Sequence, residues 1–208
     1  MQSLNYKIGE FVIIFLILPI SFMFNYLVWL KFGIALIGLA YIIYVLLKIE
    51  NLPFKIAKNL NWLWFWKQTF IKLLIISVLT IFYVWLTNKE ALFVVLLQKP
   101  KLWVFILFIY SFFSVYPQEL VYRTFFFKRY KPLFNSGPTL IVVNALVFSL
   151  GHIFFKNTLV LILTFLGGIL FALTYFKTES TLLVSIEHAV YGSWLFTVGM
   201  GNMLGFPD

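Results

Sequence analysis

Residues 102–127, LWVFILFIYSFFSVYPQELVYRTFFF, form an apolar run long enough to cross a bilayer as a helix, which needs about 20 such residues. Two charged side chains lie near its end, Glu119 and Arg123, spaced i, i+4 and therefore on one helix face. Each charge costs roughly 2.5–3.5 kcal/mol at the bilayer centre on insertion scales, so a partner or a function must offset it. Similar runs lie at 11–30, 32–47, 73–88, 139–155, 158–176 and 181–200. The pattern predicts an all-α, polytopic transmembrane helical bundle of about seven spans, with eight as the alternative. Pro19 is expected to kink the first span, and Lys31, Lys48 and Lys72 to act as snorkelling anchors. The segment 91–97 is too short to cross and reads as interfacial.

The composition agrees. Of 208 residues, 62% are hydrophobic and only 11% charged, more apolar surface than a soluble domain of this size can bury. The absence of cysteine excludes disulfides, thiolate metal sites and cysteine nucleophiles. The net charge of +9 comes from lysines between apolar runs, so the expected partner is an anionic lipid bilayer and no nucleic acid.

Orientation follows from the basic residues. With the N-terminus inside, Lys7, Lys48, Lys55, Lys58, Lys67, Lys72, Lys128, Arg129, Lys131 and Lys177 fall on the cytoplasmic side. Only Lys31, Lys89, Lys99, Lys101 and Lys156 fall on the other. The expectation is an integral protein of the plasma (inner) membrane with a cytoplasmic N-terminus. MQSLNYKIGE, residues 1–10, reads as the start of a retained helix rather than a cleaved signal. The chain divides in character into 1–100, with a basic cytoplasmic loop at 50–62, and 101–208. The earlier spans are expected to hold no ionisable residue at mid-depth, while the later ones hold Glu119, Arg123, His152, Glu187 and His188.

Both histidines of the chain are in that set. Phe148 precedes His152 by four residues, and Gly151 leaves room for close approach by another helix or a substrate. Ser185, His188 and Gly192 share nearly one face, with Glu187 adjacent. Gln118 adds hydrogen-bonding capacity beside Glu119. A carboxylate with two histidines provides a base to activate water, and imidazoles to hold the water, a metal or a developing oxyanion.

The order of these residues resembles the CPBP family, which includes type II CAAX prenyl endopeptidases and bacteriocin-processing or immunity-type membrane proteins. Glu119 with Arg123 is similar to its E-E-x-x-x-R motif, Phe148 with His152 to F-x-x-x-H, and His188 to the start of H-x-x-x-N or H-x-x-x-D. Gln118 stands where the family often has its first glutamate, so Glu119 takes that role here. Gly192 replaces the usual Asn or Asp, and Ser193 is the nearest polar substitute. The resemblance implies a bundle whose polar cavity opens toward the cytoplasm, with catalytic helices over 101–208. It also implies an intramembrane endopeptidase in which Glu119 activates water, His152 and His188 hold it and the oxyanion, and Arg123 fixes Glu119. Its substrate would be a membrane-associated peptide or protein. Members use either a glutamate or a metal, and Glu119, His152 and His188 would be the ligands of one divalent ion such as zinc. The alternative is a non-catalytic immunity or partner-binding protein of the same fold. A proton-coupled transporter ranks last, because no pair of Gly/Pro-interrupted spans occurs in the two halves.

The levels of Glu119, His152 and His188 conflict if the spans end where the apolar runs end. Glu119 and His188 would then lie roughly 10–14 Å from the cytoplasmic ends of their spans and His152 roughly 20 Å along its own. The three meet only if the helix 139–155 starts deep, tilts or is partly re-entrant.

Overall fold

The computed structural model describes residues 3–52 and 60–205. The described residues are 86% helical, with no strand among them. Among the described residues, six helices are long and apolar enough to cross a membrane: α1 (Leu4–Ser21), α2 (Val28–Ile49), α3 (Trp62–Thr87), α4 (Pro100–Leu133), α5 (Gly137–Phe155) and α6 (Thr158–Thr178). The seventh expected span is also helical, as α7 (Thr181–Leu195) continued by a π turn over Phe196–Met200. Ser185, Glu187 and His188 make it more polar than the six, and it is not counted with them. The piece near 91–97 is a five-residue helix, Val94–Gln98.

Helix ends differ from the apolar runs wherever a charge is buried by a distant partner. α1 starts at Leu4 rather than near residue 11, with Ser3 accepting from the Tyr6 N–H as its cap. It ends at Ser21, so the expected span 11–30 straddles a turn. There the Ser21 hydroxyl donates to the Leu18 carbonyl at 2.7 Å, and Lys31 Nζ donates to the Phe22 carbonyl at 2.7 Å. Such bonds satisfy the carbonyls that a helix leaves open at its C-terminus. Pro19 therefore sits in the last turn of α1, behind a π turn at Ile13–Ile17, and not in mid-span. α3 begins at Trp62, capped by Asn61, which puts Lys67 and Lys72 inside the helix. Most of the loop 50–62 lies outside the described residues.

The chain forms two compact units, one from residues 1–56 and 118–179, the other from 57–117 and 180–208. In the first, α5 and α6 pack most closely. A Cβ on Gly168 would stand 3.0 Å from Ala145 Cα, the small-residue contact by which membrane helices approach. Phe15, Phe126 and Tyr130 interlock edge to face in its core. One end of this unit is tied by buried Arg129, whose Nε donates to Glu10 Oε2 at 2.7 Å and whose Nη1 donates to Glu50 Oε1 at 2.8 Å. The Tyr130 hydroxyl donates to Glu10 as well, at 2.8 Å. Glu10 and Arg129 are thus interior residues, not loop charges.

In the second unit, Val95, Ile106 and Phe196 form an apolar cluster. Two indoles tie the helices: Trp103 Nε1 donates to Thr197 Oγ1 and Trp194 Nε1 donates to Thr80 Oγ1, both at 2.9 Å.

Candidate active site

α4 is irregular where it carries chemistry. Tyr116–Glu119 is a single α turn between π turns at Tyr110–Val115 and Leu120–Phe125. Pro117, which has no N–H to donate, lies in that turn. Insertions of this kind recur at functional sites because they re-aim side chains. Here the turn buries Glu119 and Arg123 completely and pairs them, Nε to Oε2, at 3.4 Å. Gln118, beside them, is half-buried.

Arg123 connects this pair to α5. Its guanidinium carbon lies 4.5 Å above the centre of the Phe148 ring and 5.7 Å from that of Phe171. Cation–π contacts of this kind strengthen when desolvated. Phe148 in turn packs against the His152 imidazole, with ring centres 4.7 Å apart. Glu119, Arg123, Phe148 and His152 therefore form one line of contacts within the first unit. His152 closes α5 in the bridge conformation, φ −103° and ψ 6°, a sparsely populated region common among active-site residues. Its Nδ1 lies 2.8 Å from the Phe148 carbonyl. A carbonyl only accepts, so Nδ1 carries the proton and Nε2 is the unprotonated nitrogen of the neutral ring.

Between Glu119 and His152 the depth conflict resolves through helix length. α4 continues to Leu133, so Glu119 is about 21 Å from that end at about 1.5 Å per residue. His152 is about 22 Å beyond Gly137, where α5 starts. No re-entrant or tilted segment is needed. The continuation that the apolar run hides is the part holding Arg129, paired with Glu10.

His188, Glu187, Gly192 and Ser193 lie on α7 in the second unit. His188 is buried and meets the edge of Tyr110, ring centres 6.1 Å apart at 84°. Glu187 turns elsewhere: Lys72 Nζ donates to its Oε1 at 2.6 Å and the Tyr191 hydroxyl does so at 3.0 Å. Lys72 is thus the partner of a buried carboxylate, not a snorkelling anchor, and α3 does carry an ionisable residue inside it. Ser193 is half-buried, and its carbonyl accepts from the Thr197 hydroxyl. Within neither unit do three His, Asp or Glu side chains of the described residues converge to hold a metal.

Residues 100–194 match the family model for type II CAAX prenyl endopeptidase Rce1-like proteins. That stretch is CPBP-like. No curated protein and no solved structure matches the chain. The CPBP-like stretch runs from α4 to Trp194 on α7, so it contains every candidate residue from Gln118 to Ser193. The family is one of proteases, and the fold is of the CAAX-protease type. With its apolar helices, this makes the chain an integral membrane protein.

Sequence reading missed two tyrosines of the CPBP-like stretch. A Cβ on Gly151, next to His152, would collide with the Tyr122 hydroxyl and come within 2.8 Å of its Cζ. A Cβ on Gly192, one turn past His188, would collide with the Tyr110 hydroxyl and meet its Cζ at 2.5 Å. The signal was a glycine near each histidine. It marked close approach without naming the neighbour.

Proposed function

We propose that this protein is an intramembrane endopeptidase of the CPBP type, acting on membrane-associated peptides or proteins. The observation that carries the reading is the buried line Glu119–Arg123–Phe148–His152, which ends in an imidazole with its tautomer fixed. In this reading Glu119 accepts a proton from water, and the water oxygen attacks the scissile carbonyl carbon. Arg123 orients Glu119, and His152 Nε2 holds the water. His188 hydrogen-bonds the oxygen that becomes negative. When the tetrahedral intermediate collapses, the C–N bond breaks and the proton on Glu119 passes to the leaving amine. General-base catalysis of this kind contributes about 10²–10⁴-fold.

A divalent metal would supply a Lewis acid and a bound hydroxide, with Glu119, His152 and His188 as ligands. The steps above are those of side chains and water. A cytoplasmic N-terminus in the plasma membrane is supported by the sequence's ten-to-five distribution of basic residues, eight to five once the buried Arg129 and the Glu187-paired Lys72 are set aside. The Arg129 end of the first unit then faces the cytoplasm.

The test is cleavage of a fluorogenic membrane-peptide library by purified protein in detergent, wild type beside Glu119→Gln and His152→Gln, with and without chelator. Cleavage lost in both variants supports the assignment, and unchanged cleavage in Glu119→Gln ends it. Loss with chelator alone would add the metal. A second reading, a non-catalytic binding or immunity protein, is favoured by one observation: Glu187 serves a structural ion pair with Lys72. That reading requires Glu119→Ala and His152→Ala to act chiefly on thermal stability.

A further inference from the structure

Tyr110 enters α4 about 15 Å from its start at Pro100, too far inside to be an interfacial anchor. Its ring stands nearly perpendicular to the His188 imidazole, with ring centres 6.1 Å apart. Its hydroxyl occupies the space that a side chain on Gly192 would fill, being the nearest atom to that missing Cβ. Gly192 follows His188 by one turn on the same helix, so the notch opens beside the imidazole. In an apolar interior a phenolic hydroxyl is costly unless it hydrogen-bonds. A glycine notch that admits a hydroxyl beside a buried histidine brings a donor to that face of α7, which Gly192 cannot furnish itself.

We propose that the Tyr110 hydroxyl is a positioning group for His188, delivered from α4 into the notch that Gly192 leaves on α7. The effect on rate rests on the protease reading above; the effect on the imidazole does not. Tyr110 would hold the His188 ring in one orientation, so that one imidazole N–H points constantly at the oxygen that becomes negative. No proton leaves Tyr110 in this role.

The experiment uses the full chain in detergent micelles, labelled with ¹⁵N at histidine. The protein has two histidines, and His152→Gln assigns which signals belong to His188. Tyr110→Phe keeps the ring and removes only the oxygen. The expected result is a changed tautomer ratio for His188, an unmoved melting temperature, and cleavage lowered about tenfold or more. Gly192→Ala, which pushes the hydroxyl out, should move the His188 signals in the same sense. His188 signals identical in wild type and Tyr110→Phe would overturn the proposal. If wild type cleaves nothing while Tyr110→Phe still moves His188, the protease reading fails and the positioning role stands.

Discussion

Two buried arginines on α4 are each partnered by a glutamate, yet they are built differently. Arg129 is held by two carboxylates from other helices, Glu10 at 2.7 Å and Glu50 at 2.8 Å, and Glu10 also accepts from Tyr130 and Tyr41. Arg123 stands 3.4 Å from a glutamate of its own helix and lies over two phenylalanine rings. Short, multiply bonded ion pairs are strong fasteners, and losing one partner strands the other charge. The longer Glu119–Arg123 pair, flanked by π turns and leading to a histidine, suits a carboxylate that must gain and lose a proton. One pair joins α1, α2 and α4; the other leads to His152.

The contrast can be broken by substitution. Arg129→Ala should have the largest effect on folding, about 3–5 kcal/mol, because it leaves Glu10 buried with its cation gone. Thermal unfolding in detergent measures it, and a shift of less than a degree or two would erase the distinction. Gly151→Ala should come next, at about 1–3 kcal/mol, since its methyl group meets the Tyr122 hydroxyl beside His152. The same melting assay, paired with cleavage, checks it. Arg123→Lys should have the smallest effect on stability. A lysine keeps the charge but loses the planar stack on Phe148 and Phe171, so cleavage should fall about tenfold with little change in melting.

The helices and the order of the site residues were legible in the sequence, because both are written in local runs and spacings. Glu119 with Arg123, and Phe148 with His152, are each one turn apart, so their shared faces needed no structure. The boundaries were less legible. Lys7 and Glu10 read as flanking charges at the head of an apolar run, whereas Glu10 is buried by Arg129, more than a hundred residues away. Lys72 looked like a span's edge until Glu187 of α7 supplied its partner. Periodicity cannot reveal such distant pairs, and they set where α1, α3 and α4 begin and end. The same blindness produced the false conflict in depth between Glu119 and His152. The tyrosines that fill the Gly151 and Gly192 notches were hidden for that reason too.

The most direct test sets Glu119→Gln beside Glu10→Gln, measuring melting temperature and peptide cleavage on the same preparations. The account predicts opposite splits. Glu119→Gln should lose cleavage by about 10²-fold or more with its melting temperature kept, and Glu10→Gln should melt several degrees lower while the folded fraction cleaves at the wild-type rate. If Glu119→Gln instead cleaves normally and is the one that melts early, Glu119 is a fastener like Glu10 and the catalytic reading is wrong.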